Sequence, residues 1–386
     1  MTVKKKIAII GPIVDQGGRE VEVHFIATAL KDLYEVTIFS TAGMTQQSVA
    51  LPEGVSFSSL QEQLYLKYPK LRRWANWMSF LKGGRQPGFT YVNHPWVKSR
   101  VPFDSLSKAY LRDYVKHFDA LLLCTQVASY GIREILEAAH AESIPVLIRI
   151  TGTVEVIGKK LAPLLEKASM FLMHSQENAH RLTQYVSVPY RLIDQTAQFE
   201  DELLSHPILD KTISSLGYVG RLSEEKGVLP LLEHCSKHPD VQLTLIGEGP
   251  LKEDVEAFAQ KFSHLIYKGS MSPKELSKFY KTFDVLVIPS YEESGPLVGL
   301  EAMAAGRLIM STEVGAMPER LQGTENKFWF AVEDAQDFDR VLKRIVSLSL
   351  LEVQKIAQAN RERYIAHYTR EQIQKKYREA VAHFFQ

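Results

Sequence analysis

Short apolar runs alternate along this chain with segments whose apolar residues recur at helical spacing. In the first half, Lys6–Ile10, Val36–Ser40, Thr90–Asn93, Ala120–Cys124, Val146–Ile150 and Met170–His174 predict strands. Runs this short and apolar suit strands buried on both faces. Helices are expected at Glu20–Lys31, Leu106–Lys116 and Ser129–Ala141. A second series begins near Ser214. Its strands are expected at Ser215–Val219, Gln242–Ile246, Leu265–Tyr267, Val285–Ile288, Leu308–Ser311 and Phe328–Phe330. Its helices are expected at Val228–Cys235, Leu251–Gln260, Pro273–Lys281 and Leu297–Ala305, with Pro273 in a first turn where its missing N–H is harmless. This rhythm predicts an α/β fold of mostly parallel sheets covered by helices. The rhythm lapses at Asp194–Lys211, where an interdomain linker is expected. Near the end, Thr369 and Gln372 have capping-box spacing, and Ile373, Tyr377, Val381 and Phe384 follow on one helical face.

Length and composition narrow the class. A chain of 386 residues is too long for one ordinary core, so two domains are expected. The formal net charge of +1 removes any global reason to expect nucleic acid. Two cysteines far apart, Cys124 and Cys235, supply neither a disulfide framework nor a zinc cluster, and read as buried thiols in a reducing compartment. The lysines before Ile7–Ile10 precede a run too short for a signal peptide, and no stretch approaches the ~20 apolar residues of a membrane span. A cytoplasmic protein is expected, touching a membrane at most peripherally from its inner face.

Two segments carry candidate chemistry. In the first, an apolar strand ends at Gly220, and Arg221 and Lys226 lie in the loop before the next helix. Ligands of open α/β sheets bind beyond the carboxyl ends of strands. A guanidinium fork and a mobile ammonium there suit a diphosphate, although the same charges also fit an ordinary surface turn. In the second, Val285–Ile288 empties into a polar loop holding Glu293, and a helix starting at Pro296 or Leu297 carries Glu301 about one turn inside. The amides of such a helix start favour an anion. One carboxylate would lie near a phosphate and the other further along a ligand, where it suits vicinal hydroxyls. A glycosidase-like acid/base pair is the competing functional reading.

These residues resemble a known family. The Glu293-to-Glu301 spacing, Pro289-Ser290 before it, Gly306 after it, and the turn Gly315 to Glu319 are similar to the donor-site signature of the retaining family 4 glycosyltransferases, the glycogen-synthase-like and sucrose-synthase-like group. Gly220 to Gly227, Gly247 to Pro250, and Gly17-Gly18 match further motifs in order. The resemblance implies the GT-B fold, two facing Rossmann-like domains with a deep interdomain cleft. It implies an acceptor domain at 1–200, a nucleotide-sugar domain at 201–360, and a closing helix in 361–386 that crosses back to the first domain. It also implies retaining transfer of a hexosyl unit from a nucleotide-sugar, a UDP-sugar ahead of a GDP-sugar, to a carbohydrate or lipid-linked acceptor, with no metal and no further cofactor. Arg221 and Lys226 would grip the diphosphate, Glu301 the ribose, and Glu293 the transferred sugar. Gly220, Ser294, Gly295, Pro296 and Leu297 would surround phosphate and sugar, and Gly247 and Glu248 the base. The family commonly has Gly-Phe-Gly where this chain has Ser294-Gly295-Pro296, and proline where it has Arg307, which loosens the sugar assignment. An epimerase or phosphorylase of the same fold, or a non-catalytic nucleotide-sugar-binding protein, are the alternative functions.

The acceptor half says less. His94, at the end of the expected Thr90–Asn93 strand, is a candidate sugar contact by the same resemblance, or a structural residue beside Pro95. Gly17 and Gly18 mark a candidate acceptor loop. His174 is a weaker candidate, and His24 reads as packing. Tyr65–Arg100 holds eight basic residues and no acidic one, interleaved with Trp74, Trp77 and Phe80. It fits peripheral contact with an anionic membrane, an anionic acceptor, or a helix packed on its own domain. Nucleic acid is not expected.

Overall fold

The apolar runs of the first half lie side by side in register. In this computed structural model, which describes residues 3–385, they are β1 (Lys6–Gly11), β2 (Glu35–Ser40), β3 (Ser56–Ser59), β4 (Ala120–Thr125), β5 (Val146–Ile150), β6 (Met170–Met173) and β7 (Tyr190–Leu192). Among the described residues they form one sheet in the order β3-β2-β1-β4-β5-β6-β7, parallel throughout. The central strands are buried along their length, which is why their sequences lack polar alternation. β3 and β7, not anticipated from the pattern, are short edge strands, one rich in serine and the other only three residues long.

The second series forms β8 (Ser215–Val219), β9 (Gln242–Ile246), β10 (Leu265–Tyr267), β11 (Val285–Ile288), β12 (Leu308–Ser311) and β13 (Phe328–Trp329). Their order is β10-β9-β8-β11-β12-β13, again all parallel. Counted within its own half, this is 3-2-1-4-5-6, a Rossmann-like arrangement whose order reverses between β8 and β11. The first sheet reverses in the same way between β1 and β4.

The chain divides into two units: residues 1–173, 179–193 and 374–386, and residues 174–178 with 194–373. The stretch Asp194–Lys211, expected to be a linker, is built into the second unit. Asp194 pairs with the buried Arg320, and Glu200 accepts from Tyr364 Oη at 2.7 Å and from the Arg370 amide at 2.7 Å. A helix, Glu200–Ser205, occupies its middle. The expected strand at Thr90–Asn93 is also absent: Gly88–Tyr91 is a 3-10 turn. Pro87 and Pro95 flank it, and Gly88 lies against Asn76 of the helix Pro69–Leu81, so the segment packs on that helix instead of joining the sheet. Among the described residues no helix is long and apolar enough to cross a membrane.

A buried charge organises the first unit. Arg149, on β5, is fully buried and donates to Glu22 Oε1 and to the Ile193 carbonyl, each at 2.5 Å. Tyr377, on the last helix (Arg370–Ala382), donates to the same Glu22 oxygen at 3.0 Å. Removing one member of a buried pair strands the other at about 3–5 kcal/mol. Glu22→Ala is therefore expected to destabilise the first unit by that order, read in urea unfolding through the fluorescence of Trp74, Trp77 and Trp96. Unchanged unfolding would show that Arg149 does not depend on Glu22.

Candidate functional site

Two loops leave the second sheet at its reversal point. The loop after β8 runs through Gly220 and Arg221 to a 3-10 turn, Glu224–Lys226, and then to the helix Val228–Cys235. The loop after β11 runs from Pro289 to Pro296 and into the helix Leu297–Ala304. Glycine lets them touch. Gly227 has φ +63°, and a Cβ there would lie 1.9 Å from the Pro289 carbonyl oxygen. The Tyr291 amide donates to the Glu225 carbonyl at 3.0 Å, and the Lys226 ammonium pairs with the Glu293 carboxylate. Ser290 Oγ lies 3.5 Å from the same carboxylate.

The loop after β9 closes on the first of these. Gly247, at φ +147°, would drive a Cβ to 1.8 Å from the Gly220 carbonyl oxygen. The Leu222 amide donates to the Glu248 carbonyl at 3.0 Å. Glu248 itself is exposed, with Lys252 at 3.4 Å. Tyr218 Oη donates to the Arg221 carbonyl at 2.7 Å, which pins that residue's main chain. The Arg221 guanidinium is exposed and has no hydrogen bond or ion pair among the described residues. A cation held by its backbone with its side chain unengaged is disposed to receive an anion.

The start of the helix Leu297–Ala304 is held from below. Arg320, fully buried, donates to the Pro296 carbonyl at 2.5 Å and makes two bonds to Asp194, at 2.6 and 2.8 Å. Thr312 Oγ1 donates to the Ser290 carbonyl at 2.7 Å, and the Ala316 amide to the Ser294 carbonyl at 3.1 Å. Ser294, Gly295 and Leu297 remain partly exposed at the loop–helix junction, with His174 packed beside Gly295. Sequence reasoning did not single out Asp194, Thr312 or Arg320. A buried Arg–Asp pair separated by 126 residues leaves no local pattern to read.

Glu301 lies one turn into that helix and is buried, at 7% exposure. Tyr280 Oη donates to it at 2.6 Å, and the Gln198 amide bonds to it as well. Burial nevertheless raises its pKa to about 7. In this structure its carboxyl is therefore directed to Tyr280 and Gln198. Glu293 is the more accessible of the two acids.

The first unit holds the remaining candidates. His94 caps the short helix Pro95–Lys98, its Nδ1 accepting from the Trp96 amide at 3.3 Å, so it stands at a helix start and not at a strand end. Gly17 and Gly18 open the helix Gly18–Leu30, where Glu20 accepts from the Val14 amide at 2.9 Å. Neither glycine nor His94 lines the cavity of about 640 Å³ in this unit. That cavity lies beyond the ends of β1 and β2, with Pro12, Thr41, Gln61, Asn93, Lys98 and Tyr130 in its wall.

Residues 206–363 match the family model described as glycosyl transferases group 1. Among curated relatives, the sulfoquinovosyl transferase SQD2 of Arabidopsis thaliana is 33% identical over 123 residues, covering 31% of this chain and 24% of that protein. A D-inositol 3-phosphate glycosyltransferase of Corynebacterium jeikeium is 30% identical over 145 residues, covering 34% of this chain and 35% of that protein. The matches thus span a quarter to about a third of these relatives. The fold is similar over 99% of both chains to sucrose-phosphate synthase from Thermosynechococcus elongatus, with a TM-score of 0.67 and 17% identity. The fold is GT-B, with two Rossmann-like units.

The Glu301 carboxyl carries a pH signature. Its folded pKa, about 7, lies above the ordinary 4.5, so between these values the unfolded chain releases a proton that the folded chain keeps. The stability it contributes is full below about 4.5 and is lost as pH rises through about 7. Glu301→Gln keeps a neutral side chain at every pH. From pH 5 to 8 the Tm of the native chain is expected to fall relative to that of the variant. Parallel curves would show that Glu301 ionises like a surface acid.

Proposed function

We propose, from the match of residues 206–363 to the family model described as glycosyl transferases group 1, that this chain transfers a hexosyl unit from a nucleotide-sugar to a hydroxyl of a saccharide or lipid-linked acceptor, with retention. The observation that carries the reading is that two cations, one of them paired with a carboxylate, stand in the loops at the reversal point of the second sheet. Arg221 is unengaged there, and Lys226 sits on Glu293 beside a helix start. Support also comes from HepE of Anabaena, of similar fold at a TM-score of 0.69 and 14% identity over 98% of this chain and 99% of that one, which was solved in complex with UDP.

In this reading Arg221 and Lys226 hold the donor diphosphate. The bond between the sugar's anomeric carbon and the phosphate oxygen breaks, and its electron pair leaves with the diphosphate. The two cations and the amides of Ser294, Gly295 and Leu297 offset the charge that develops. The acceptor oxygen bonds to the anomeric carbon on the face the phosphate leaves, and its proton passes to a phosphate oxygen. Lys226 then exchanges its Glu293 contact for phosphate, which frees Glu293 to orient the sugar. Glu301, once ionised, takes the ribose hydroxyls, with Gly247 and Glu248 near the base. The acceptor occupies the cavity of the first unit. Two free, buried cysteines suit the cytoplasmic setting of this reading.

The test is a panel of UDP- and GDP-sugars incubated with chelator while released nucleotide is measured. Turnover is expected without added metal, highest with a UDP-sugar. Arg221→Ala is expected to lower turnover about 10²-fold. Donor binding without transfer or hydrolysis would refute the enzymatic reading, and a strict need for divalent metal would refute the role given to the two cations. Full activity in Arg221→Ala, Glu293→Gln and Glu301→Gln together would move the site elsewhere.

A further inference from the structure

The helix Pro69–Leu81 lies in the first unit and has no part in the transfer described above. Its inner face, Leu71, Ala75 and Met78, is buried in that unit's core. Lys70, Arg73, Trp77, Phe80 and Leu81 follow at i, i+3, i+7, i+10 and i+11, which places them on one side of the helix. Trp77 is 45% exposed, Phe80 76% and Leu81 55%. Trp77 is not a loose side chain: its ring lies 5.0 Å from that of Trp96 and 5.9 Å from that of Trp74. The result is a solvent-facing apolar knob on a fixed aromatic base.

The charge around the knob is one-sided. Of the eight basic residues in Tyr65–Arg100, three are engaged within the unit. Lys67 pairs with Asp113 at 2.8 Å, Lys98 lies 4.5 Å from the centre of the Phe103 ring, and Arg100 4.8 Å from that of Trp96. The other five, Lys70, Arg72, Arg73, Lys82 and Arg85, are exposed, and their side chains make no hydrogen bond or ion pair among the described residues. In the chain they stand on both sides of Trp77, Phe80 and Leu81.

We propose that this face docks on an anionic lipid bilayer, with Trp77, Phe80 and Leu81 at headgroup depth, Lys70 and Arg73 of the same helix side against the lipid charges, and Lys82 and Arg85 just past the helix end adding to the local positive charge. A bilayer rewards both halves of the pattern at once: apolar side chains enter the acyl boundary, and each nearby cation gains from the surface potential. A second copy docked face to face would set the cations of this face against their own kind. A nucleic acid would leave Leu81 and Phe80 with no bases arrayed to stack on them, since strand-binding surfaces use grooves lined by rings. Docking requires neither donor nor acceptor, so it stands or falls apart from the proposed transfer.

The experiment uses the full chain with vesicles of phosphatidylcholine alone and of phosphatidylcholine with one quarter phosphatidylglycerol, followed by co-sedimentation. Binding to the anionic vesicles is expected, weakening as salt is raised, with a blue shift of tryptophan emission. Lys70→Ala/Arg73→Ala is expected to lower partitioning about 30-fold. Phe80→Ser/Leu81→Ser is expected to lower it on the order of tenfold or more. Nucleotide release from the donor in vesicle-free buffer should stay unchanged in both. The proposal is overturned if the native chain ignores anionic vesicles, or binds neutral ones equally at all salt concentrations. Self-association without vesicles that Phe80→Ser/Leu81→Ser abolishes, or an oligonucleotide that binds this face and displaces vesicles, would overturn it in favour of those partners.

Discussion

One ion pair closes the reversal point of the second sheet. Lys226 and Glu293 come from loops that follow different strands, and both side chains are mostly shielded, at 24% and 19% exposure. Such a pair contributes little net stability, because desolvation offsets much of its attraction. Its effect is positional. It fixes the two side chains on each other, while the Tyr291 amide on the Glu225 carbonyl and Thr312 on the Ser290 carbonyl hold the loops themselves. The contact is possible only because Gly227 allows the first loop to lie on the Pro289 carbonyl, and because Gly315 allows a later turn to lie on the carbonyls of Glu293 and Ser294. Backbone approach sets the distance, and charge selects what occupies it.

An anion entering here meets a site whose parts respond differently. The Arg221 side chain makes no hydrogen bond or ion pair among the described residues, although its charge acts on the nearby Glu225 carboxylate. Lys226 is already paired with Glu293, so under the proposed reading anion binding and the release of Glu293 would be one event. Glu301 differs from both, since burial raises its pKa to about 7 and Tyr280 already donates to it. Under the proposed reading, a ribose diol would compete with Tyr280 for an acceptor that is strongest only when ionised. Site occupancy and protonation are therefore linked through one buried oxygen pair.

Much of this arrangement was legible in the chain, for reasons that differ by element. The buried strands could be read because burial on both faces leaves uninterrupted apolar runs, as in Ala120–Cys124 and Val285–Ile288. The loop residues could be singled out because loops beyond strand ends need glycine, charge and helix starts at fixed offsets, while the donor roles given to them rest on the resemblance. Thr90–Asn93 misled because four residues of mixed polarity do not distinguish a strand from a turn packed on a helix. Asp194–Lys211 misled because its irregular pattern hides long-range polar ties, Asp194 to Arg320 and Glu200 to Tyr364. Hydrophobic periodicity records which side of an element is buried. It is silent on which buried charge finds which partner.

Those buried partners explain why the division of the chain is abrupt. Ile193 offers its carbonyl to Arg149, a fully buried cation of the first unit. The next residue, Asp194, binds Arg320, a fully buried cation of the second. The same alternation recurs near the end of the chain: the Arg370 amide donates to Glu200 of the second unit, and Tyr377, two turns on, donates to Glu22 of the first. A buried guanidinium must keep its carboxylate, because stranding it costs several kcal/mol. Each unit thus holds its own side of the crossing by a group that cannot be released cheaply, and the chain changes units over one peptide bond at Ile193–Asp194. The linker expected at Asp194–Lys211 thus begins at a change of unit, but its residues belong to the second unit.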